Sequence, residues 1–316
     1  MTLSAISHSG EQPLIDCHHH FWALADIHYP WLSDQYDPHF FLGDYRSICR
    51  PVLPDELRAT VPAGYRLIGS VHCEAEVERV QTLAETRWIT GLAAQQGLPS
   101  AHVGWAPFGQ EHCAAVLDAQ CESPLFRGVR AKPVTASRPQ HRESVLNQPG
   151  SLQDAHWLSG LKLLQERGLS WDLRVPAWHL QEAAQALQDY PDLRVILNHT
   201  GLPWDRSPEG LEQWHAGLTA LAANPNVCIK LSELGTPLQA WDRRQNLQLL
   251  CDAIRLFGPQ RCLYASNFPV AGIQVSYADW LAMIEEAIAL TAPMARDDIL
   301  WRNACHWYRL MPADGA

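Results

Sequence analysis

The sequence predicts an α/β protein that folds as a single-domain (β/α)8 TIM barrel. Short apolar runs alternate about eight times with segments of helical pattern over the 316 residues. Regular alternation of this kind indicates a parallel sheet, which eight units can close. No stretch between the units is rich enough in Gly or Ser to mark a domain boundary. A doubly wound open sheet is the alternative, but it would carry a Gly-rich turn after its first strand, where this chain has histidines.

The strand and helix units can be placed along the chain in order. The first strand covers 13–18 and follows an N-terminus, 1–12, that we expect to be flexible. The stretch 22–62 is irregular and turn-prone, and a loop of this length is usually a lid or a binding loop. The other strands are predicted at 65–75, 101–108, 126–134, 169–176, 193–201, 227–234 and 262–270, and the helices at 76–96, 110–121, about 150–167, 178–189, about 209–223, about 240–257, 277–290 and 294–310.

Composition restricts the partners of the protein. The formal net charge of −10 disfavours binding to nucleic acid or to an anionic membrane. No apolar run approaches the ~20 residues that cross a bilayer. The 9 cysteines are scattered without a CxxC pair, and the first ten residues lack a signal-peptide pattern, so we expect reduced thiols in the cytoplasm. A small-molecule substrate is therefore expected, with no nucleic-acid or membrane partner, while the number of subunits stays open, a homo-oligomer included.

The strongest functional signal is the segment LIDCHHHFW at 14–22. Side chains alternate faces along a strand, so His18 and His20 are expected to point one way and His19 the other. Two imidazoles on one face at a strand end can ligate one metal ion, with Asp16 close enough to orient a ring. A histidine-rich surface turn is the alternative interpretation.

Other candidates follow from the rule that catalytic groups gather at the carboxyl ends of barrel strands. The sixth strand ends with His199, which would join the histidines of the first strand. The second strand ends with His72 and Glu74, which share a face by period-two spacing. His72 is a candidate substrate contact, and Glu74 is a candidate proton acceptor. Each has a structural alternative: His199 as a hydrogen-bonded strand end, and Glu74 as a carboxylate at a helix N-terminus.

A set of cations follows the fourth and fifth strands. Arg130 and Lys132 lie two residues apart, so they share a face, and Arg174 ends the next strand. Together they can bind a carboxylate or another anion. Pairing with acidic side chains of the helices is the alternative. Trp22 follows the first strand and is expected to line the substrate pocket.

Several of these segments resemble a known family. IDCHHHFW, YPWL, ETRW, FRGVR, LNHTG, KLSEL, SNFPV and NACHWYRL together resemble the amidohydrolase-related (amidohydrolase 2) branch of the amidohydrolase superfamily, within which the sugar-lactone and 2-pyrone-4,6-dicarboxylate lactonase group is most alike. The resemblance implies that His18, His20 and His199 are catalytic and ligate one divalent metal ion, with zinc expected for three histidines and an open position. It also implies that Arg130 grips a substrate carboxylate.

The chain departs from that family at the end of the eighth strand. The family has an aspartate there that takes the proton from the attacking water, whereas this chain has Asn267 in the segment SNFP. An amide can bind a metal or a substrate but cannot act as a base at neutral pH. Another base is therefore expected, with Glu74 and His199 as the candidates. Since the fifth strand ends without a histidine, one metal ion or none is expected.

We therefore expect a hydrolase that opens a lactone, or a related cyclic ester or amide, of a small anionic or polyhydroxylated substrate. Water is activated by the metal ion, or by the histidines directly if no metal is bound. Asn267 positions the water or the substrate, and Arg130 orients the substrate with help from Lys132 or Arg174. Two alternatives stay open: metal-dependent decarboxylation of a small carboxylic acid, and non-catalytic binding of a sugar acid.

Overall fold

The computed structural model describes residues 10–34, 36–40, 43–237 and 239–311, and parallel strands follow one another around a barrel in it. The strands are β1 (Gln12–His19), β2 (Tyr65–Cys73), β3 (Ala101–Gly104), β4 (Phe126–Val129), β5 (Ser170–Leu173), β6 (Arg194–Leu197), β7 (Val227–Leu231) and β8 (Cys262–Tyr264). Each pairs in parallel with the next, in the order β1 to β8. The predicted (β/α)8 barrel is confirmed, since a doubly wound sheet would reverse its strand order.

The barrel closes between β8 and β1 just beyond the end of β8. The amide of Asn267 donates to the carbonyl oxygen of His18 at 2.8 Å. The carboxylate of Asp16 accepts from the Ser266 hydroxyl at 2.5 Å and from its amide at 3.0 Å. Burial raises the pKa of Asp16 to about 6 against these hydrogen bonds. Asp16 therefore joins the two ends of the sheet, and the expectation that it orients an imidazole ring is wrong.

Helices cover the outside of the barrel. In the described part of the chain they are α1 (Pro30–Ser33), α2 (Pro54–Thr60), α3 (Thr82–Gln96), α4 (Cys113–Cys121), α5 (Ala155–Glu166), α6 (Leu180–Ala186), α7 (Pro208–Ala222), α8 (Arg243–Phe257), α9 (Tyr277–Thr291) and α10 (Asn303–Tyr308). Asp154, Ser207 and Ser276 cap α5, α7 and α9 by accepting from first-turn amides. Among the described residues, no helix has the length and apolar character to cross a membrane.

The strands end earlier than the sequence predicts. β6 stops at Leu197 and β8 at Tyr264, because the residues that follow leave the extended conformation. His199 and Asn267 both have a φ of 56°, in the left-handed region. The residues predicted to carry chemistry therefore lie just past the strands, in turns at the barrel mouth. At the N-terminal end, β1 already includes Gln12, so the predicted flexible segment, 1–12, reaches into the first strand. Residues 1–9 lie outside the described residues.

The predicted loop at 22–62 is partly ordered structure. It contains α1, α2 and a short 3₁₀ turn at Arg46–Ile48, although residues 35, 41 and 42 lie outside the description. Its two ends are tied together, since the Trp22 amide donates to the Val52 carbonyl at 3.1 Å and the Val52 amide to Trp22 at 3.0 Å. This anchoring holds the middle of the loop over one side of the barrel mouth.

Candidate active site

A cavity of about 710 Å³ opens at the carboxyl ends of the strands, where barrel enzymes place their catalytic groups. Its floor carries polar side chains from strand ends: His20, Arg130, Lys132, Arg174, His199 and Asn267. Connecting segments form its upper wall, where the apolar side chains Pro30, Trp31, Phe40, Val77, Val80 and Val270 stand beside the charged Glu76, Glu78 and Arg79. The cavity thus combines a polar floor with a wall that is apolar around Trp31 and Phe40.

The three predicted histidines lie together here: His20 and His199 line the cavity, and His18 is fully buried beside them. The ring centroid of His18 lies 5.0 Å from that of His20 and 4.4 Å from that of His199. Burial, followed by the neighbouring cations, lowers the pKa of each ring well below that of an ordinary histidine. The structure therefore brings together three neutral imidazoles from β1 and the end of β6.

The conformation of β1 determines how its histidines divide. Asp16 pairs with Ser70 but His19 pairs with His72, so β1 holds one more residue than β2 over this stretch, as in a bulge. His18 faces the barrel interior, while His19 turns outward and its Nε2 lies 2.9 Å from the Ser70 hydroxyl. The predicted division between His18 and His19 is thus present, with the bulge setting the angle at which they leave the strand.

Two of the rings have one nitrogen committed and the other available. Nδ1 of His20 lies 2.8 Å from the Cys73 carbonyl oxygen. A carbonyl only accepts, so Nδ1 carries the proton and Nε2 is left as an acceptor. Nδ1 of His199 lies 3.1 Å from the Ser232 hydroxyl, which leaves its Nε2 free as well. His20 is therefore a fixed hydrogen-bond acceptor at the floor of the cavity.

The surroundings of His18 decide whether a metal ion fits. His18, Cys73 and Asp172 offer ligand atoms within 4.8 Å of one another. The Lys230 ammonium already bonds to all three, with Nζ 2.5 Å from Asp172 Oδ2, 3.3 Å from His18 Nδ1 and 3.4 Å from Cys73 Sγ. On the other side of the ring, His18 Nε2 lies 3.4 Å from Arg130 Nη1.

Both nitrogens of His18 thus face cations. Only His20 and His199 remain as prepared imidazole ligands, one fewer than the three protein ligands of a catalytic zinc site. The amide of Asn267 adds no negative charge. The residues present therefore do not fit a divalent ion at the predicted His18, His20 and His199 site.

Arg130 and Glu74 form a buried pair at the edge of the floor. Arg130 Nε and Nη2 each lie 2.8 Å from Glu74 Oε1, and Arg79 Nη1 lies 3.3 Å from Glu74 Oε2. Burial alone would raise the pKa of Glu74, but the charges of Arg130, Lys132 and Arg79 lower it to about 2. Both carboxylate oxygens of Glu74 are thus held by arginine side chains, and its role as the base stays a prediction.

The cations available to an anion are Arg174 and Lys132. Burial, followed by repulsion from Arg130, lowers the pKa of Arg174 to about 10. No carboxylate among the described residues pairs with Arg174, whose guanidinium lies 5.6 Å from the centre of the Trp204 ring. Lys132 pairs with Glu76, and burial, followed by repulsion from Arg174, lowers its pKa to about 7. Of the three cations predicted to bind an anion, Arg174 is therefore the one without a carboxylate partner among the described residues, whereas Arg130 pairs with Glu74 and Lys132 with Glu76.

Asn267 is hydrogen-bonded to a carboxylate, that of Glu233, which the sequence analysis did not single out. Its side-chain amide donates to Glu233 Oε2 at 2.7 Å, which leaves the amide oxygen for the cavity. The Gly235 amide also donates to Glu233, at 3.0 Å. Burial raises the pKa of Glu233 against these hydrogen bonds. Its identity as a strand-end acid was visible in the sequence, but its contact with Asn267 was not.

Two predicted substrate contacts do not reach the cavity. His72 is fully buried against the helix layer, with Nε2 3.7 Å from Glu85 Oε1. Trp22 is also fully buried, and its indole nitrogen donates to the Arg50 carbonyl at 2.6 Å. The structure contradicts a substrate contact for either. Trp31, which packs on Trp22 at a centroid distance of 5.5 Å, lines the cavity instead.

Comparison with known proteins is consistent across nearly the whole chain. The amidohydrolase family model matches residues 15–310. The uncharacterized protein y4mH of Sinorhizobium fredii is 33% identical over 94% of this chain and 98% of its own length. The L-fucono-1,5-lactonase of Burkholderia ambifaria is 27% identical over 94% and 95%. An amidohydrolase from Burkholderia multivorans, solved with bound zinc, is 26% identical and covers 94% of this chain and 99% of its own, with a TM-score of 0.76.

Proposed function

Since the chain belongs to the amidohydrolase family, we propose that it is a hydrolase that opens the ring of an anionic lactone. The lactonase named among its relatives supports this choice of bond. The observation that carries the proposal is the arrangement of the floor, where His20 presents a bare Nε2 in the same cavity as the guanidinium of Arg130. A proton acceptor next to hydrogen-bond donors is what attack of water on a carbonyl requires.

The residues act in the following order. The lactone carbonyl oxygen lies against Arg130, which lines the cavity and polarises it. A water held by the amide oxygen of Asn267 attacks the carbonyl carbon, and its proton moves to Nε2 of His20. When the tetrahedral intermediate collapses, the ring C–O bond breaks and His20 returns the proton to the leaving oxygen. The product is the open-chain hydroxy acid.

The electrostatics of the floor favour an anionic substrate. Arg174 is a half-buried cation with a lowered pKa, and a substrate carboxylate would pair with it and with Lys132. The Arg174 charge is also the first neighbouring charge, after burial, that lowers the pKa of His199. Binding of a carboxylate there would therefore raise the basicity of His199 when substrate is present.

The apolar wall narrows the substrate further. Trp31 and Phe40 stack with a centroid distance of 5.8 Å and an interplanar angle of 13°, and Trp31 is fixed by a hydrogen bond of 2.8 Å to the Ala75 carbonyl. This wall stands over β1 and β2, across the mouth from Arg174 at the end of β5. The arrangement suits a lactone with a carboxylate on one side and an apolar group on the other.

Ring opening can be tested with a small panel of compounds. Phenylparaconic acid carries a lactone, a carboxylate and an aromatic ring; gluconolactone, dihydroxybenzoic acid and the methyl ester of phenylparaconic acid complete the set. A pH indicator reports acid released by ring opening, and a carbon dioxide trap reports decarboxylation. We expect fastest opening of phenylparaconic acid and no carbon dioxide. Carbon dioxide from dihydroxybenzoic acid without ring opening would establish a decarboxylase, and saturable binding without turnover would establish a binding protein.

A matched pair of histidine variants completes the test. His20→Gln should lower kcat by about 10²–10⁴-fold, the usual contribution of a general base. His215→Gln replaces an exposed histidine of α7 and should leave kcat unchanged. Equal rates in both variants would exclude His20 as the proton acceptor.

A further inference from the structure

Glu76 places a carboxylate in the wall of the cavity, close to the cations that would attract an anion. One of its oxygens pairs with Lys132, and the other, Oε2, lies 2.5 Å from Arg79 Nη2. All three side chains line the cavity and are partly exposed there. A carboxylate of the protein itself therefore occupies two cations that a substrate could otherwise use.

The backbone around Glu76 is held in an unusual conformation. Glu76 has a φ of 58°, in the left-handed region that is unfavourable for a residue with a Cβ. Its amide donates to Glu74 Oε2 at 2.9 Å, and the amide of Ala75 donates to Glu85 Oε1 at 3.0 Å. Val77, on the other side, is buried. A strained backbone that is fixed on both sides is typical of a functional position, which favours a role in the site over an incidental surface ion pair.

The cations next to Glu76 are held by further contacts. Arg79 Nη1 lies 3.3 Å from Glu74 Oε2, and the Arg79 guanidinium lies 4.6 Å from the centre of the Trp105 ring. Glu74 also pairs with Arg130. Positive and negative side chains therefore alternate along this side of the cavity, in the order Arg130, Glu74, Arg79, Glu76 and Lys132. Each cation of the series has a carboxylate partner, whereas Arg174 has none among the described residues.

These contacts decide how many anionic groups of a substrate the cavity accepts. One carboxylate can pair with Arg174 without competition from a described carboxylate. A second carboxylate could reach Lys132 or Arg79 only in contact with Glu76, which repels it and already pairs with both cations. Contact between like charges is a general means by which a binding site rejects a ligand.

We propose that Glu76 is a specificity-determining residue that restricts the cavity to substrates with a single negative charge. Its carboxylate takes the place that a second anionic group of the substrate would occupy between Lys132 and Arg79. A substrate with one carboxylate binds through Arg174 and does not meet Glu76. The substrate class, a lactone with one carboxylate, rests on the function proposed above, whereas the selection by charge belongs to the binding site and does not require ring opening.

Equilibrium binding measures this selection without any reaction. The probes are cyclopentanone analogues of phenylparaconic acid, in which CH₂ replaces the ring oxygen, so that no lactone bond is present. One series carries a second carboxylate at the meta or the para position of the phenyl ring, and its matched series carries an uncharged carboxamide there. Isothermal titration calorimetry gives Kd for wild type and for Glu76→Gln, which keeps the size of the side chain and removes its charge.

Wild type should bind the carboxamides more tightly than the dicarboxylates. Glu76→Gln should tighten binding of a dicarboxylate by about 10–100-fold, as for one hydrogen bond to a charged group in a partly exposed site, and change the carboxamides much less. Glu286→Gln removes an exposed acid of α9 that pairs with Arg243 at 2.6 Å, and it should behave as wild type. Equal affinity of wild type for the two series, or no gain for the dicarboxylates in Glu76→Gln, would overturn the proposal.

The pairing of Glu76 with Lys132 can be checked without a ligand. The chain has three lysines, Lys132, Lys162 and Lys230, so NMR of protein labelled with ¹³C at lysine Cε resolves each, and Lys132→Arg identifies the Lys132 signal. Glu76→Gln should lower the pKa of Lys132, because the lost negative charge stabilises the ammonium. An unchanged pKa would show that Glu76 does not neutralise Lys132 and would overturn the proposal.

The outcomes separate this proposal from the proposed function. Selection against the dicarboxylates that is lost in Glu76→Gln, together with no ring opening of any lactone, would contradict the hydrolase and leave the role of Glu76 intact. Ring opening by a protein that binds both series equally would support the hydrolase and exclude selection by Glu76.

Discussion

Replacement of Arg174 by methionine tests whether the substrate is an anion. Arg174 lines the cavity and has no carboxylate partner among the described residues, so a substrate carboxylate can pair with it. A hydrogen bond to a charged group contributes about 1.5–3 kcal/mol. Arg174→Met should therefore raise KM for a carboxylated lactone by about 10–150-fold and change kcat much less, because the contact is present in both ground and transition states.

The assay compares the best carboxylated lactone of the panel with its methyl ester on the same protein. Wild type should prefer the acid, and Arg174→Met should lose most of that preference by weakening the acid alone. Arg255→Met, which removes an exposed arginine paired with Asp252 at 3.1 Å, should behave as wild type. If Arg174→Met weakened acid and ester equally, or neither, the charge on Arg174 would not bind substrate and the anionic substrate class would be refuted.

Three further predictions follow from the same geometry. Burial lowers the pKa of His20 well below 6.5, and a base must be unprotonated to accept a proton. We therefore expect kcat/KM to stay level as pH falls through 6.5 and to decline only at lower pH. A decline centred at or above pH 6.5 in the pH-rate profile would contradict this. Because the donors do not fit a divalent ion, dialysis against a chelator should leave kcat unchanged, and elemental analysis should give far less than one zinc per chain; loss of activity restored by zinc would contradict it. Gly217→Ala would place a Cβ 2.5 Å from Leu180 Cβ, and this overpacking should lower the free energy of unfolding by about 1–3 kcal/mol in chemical denaturation. The control, Gly91→Ala, places its Cβ where nothing lies within 4 Å, and it should raise the free energy of unfolding slightly.

The fold and the histidine cluster could be predicted because both follow from general rules. Strands buried on both faces read as continuous apolar runs, and a parallel barrel brings all its carboxyl ends to one rim. His18, His20 and His199 therefore meet although 179 residues separate the last two. That convergence depends on topology and needs no knowledge of individual contacts.

The errors have a different origin. Period-two spacing put His72 and Glu74 on one face, but β2 ends at Cys73, so Glu74 lies past the strand and the rule no longer applies to it. The pairing of Glu74 with Arg130 joins residues 56 positions apart, and no local pattern encodes it. Likewise, whether Trp22 or Trp31 lines the cavity depends on the path of the 22–62 loop, which has no periodic signal.

The departure at Asn267 becomes understandable once the charges of the floor are considered together. An aspartate at this position would place a carboxylate at the cavity, where it would repel an anionic substrate and compete with it for Arg174. The chain instead has a neutral amide there and places a carboxylate behind it, at Glu233, whose Oε2 accepts from Asn267 at 2.7 Å. Arg174 still lowers the pKa of Glu233, so the two charges remain coupled through the wall of the cavity. The loss of an acidic base at Asn267 and the proposed use of His20 as the proton acceptor are therefore two consequences of one arrangement, in which the negative charge at the floor is supplied by the substrate.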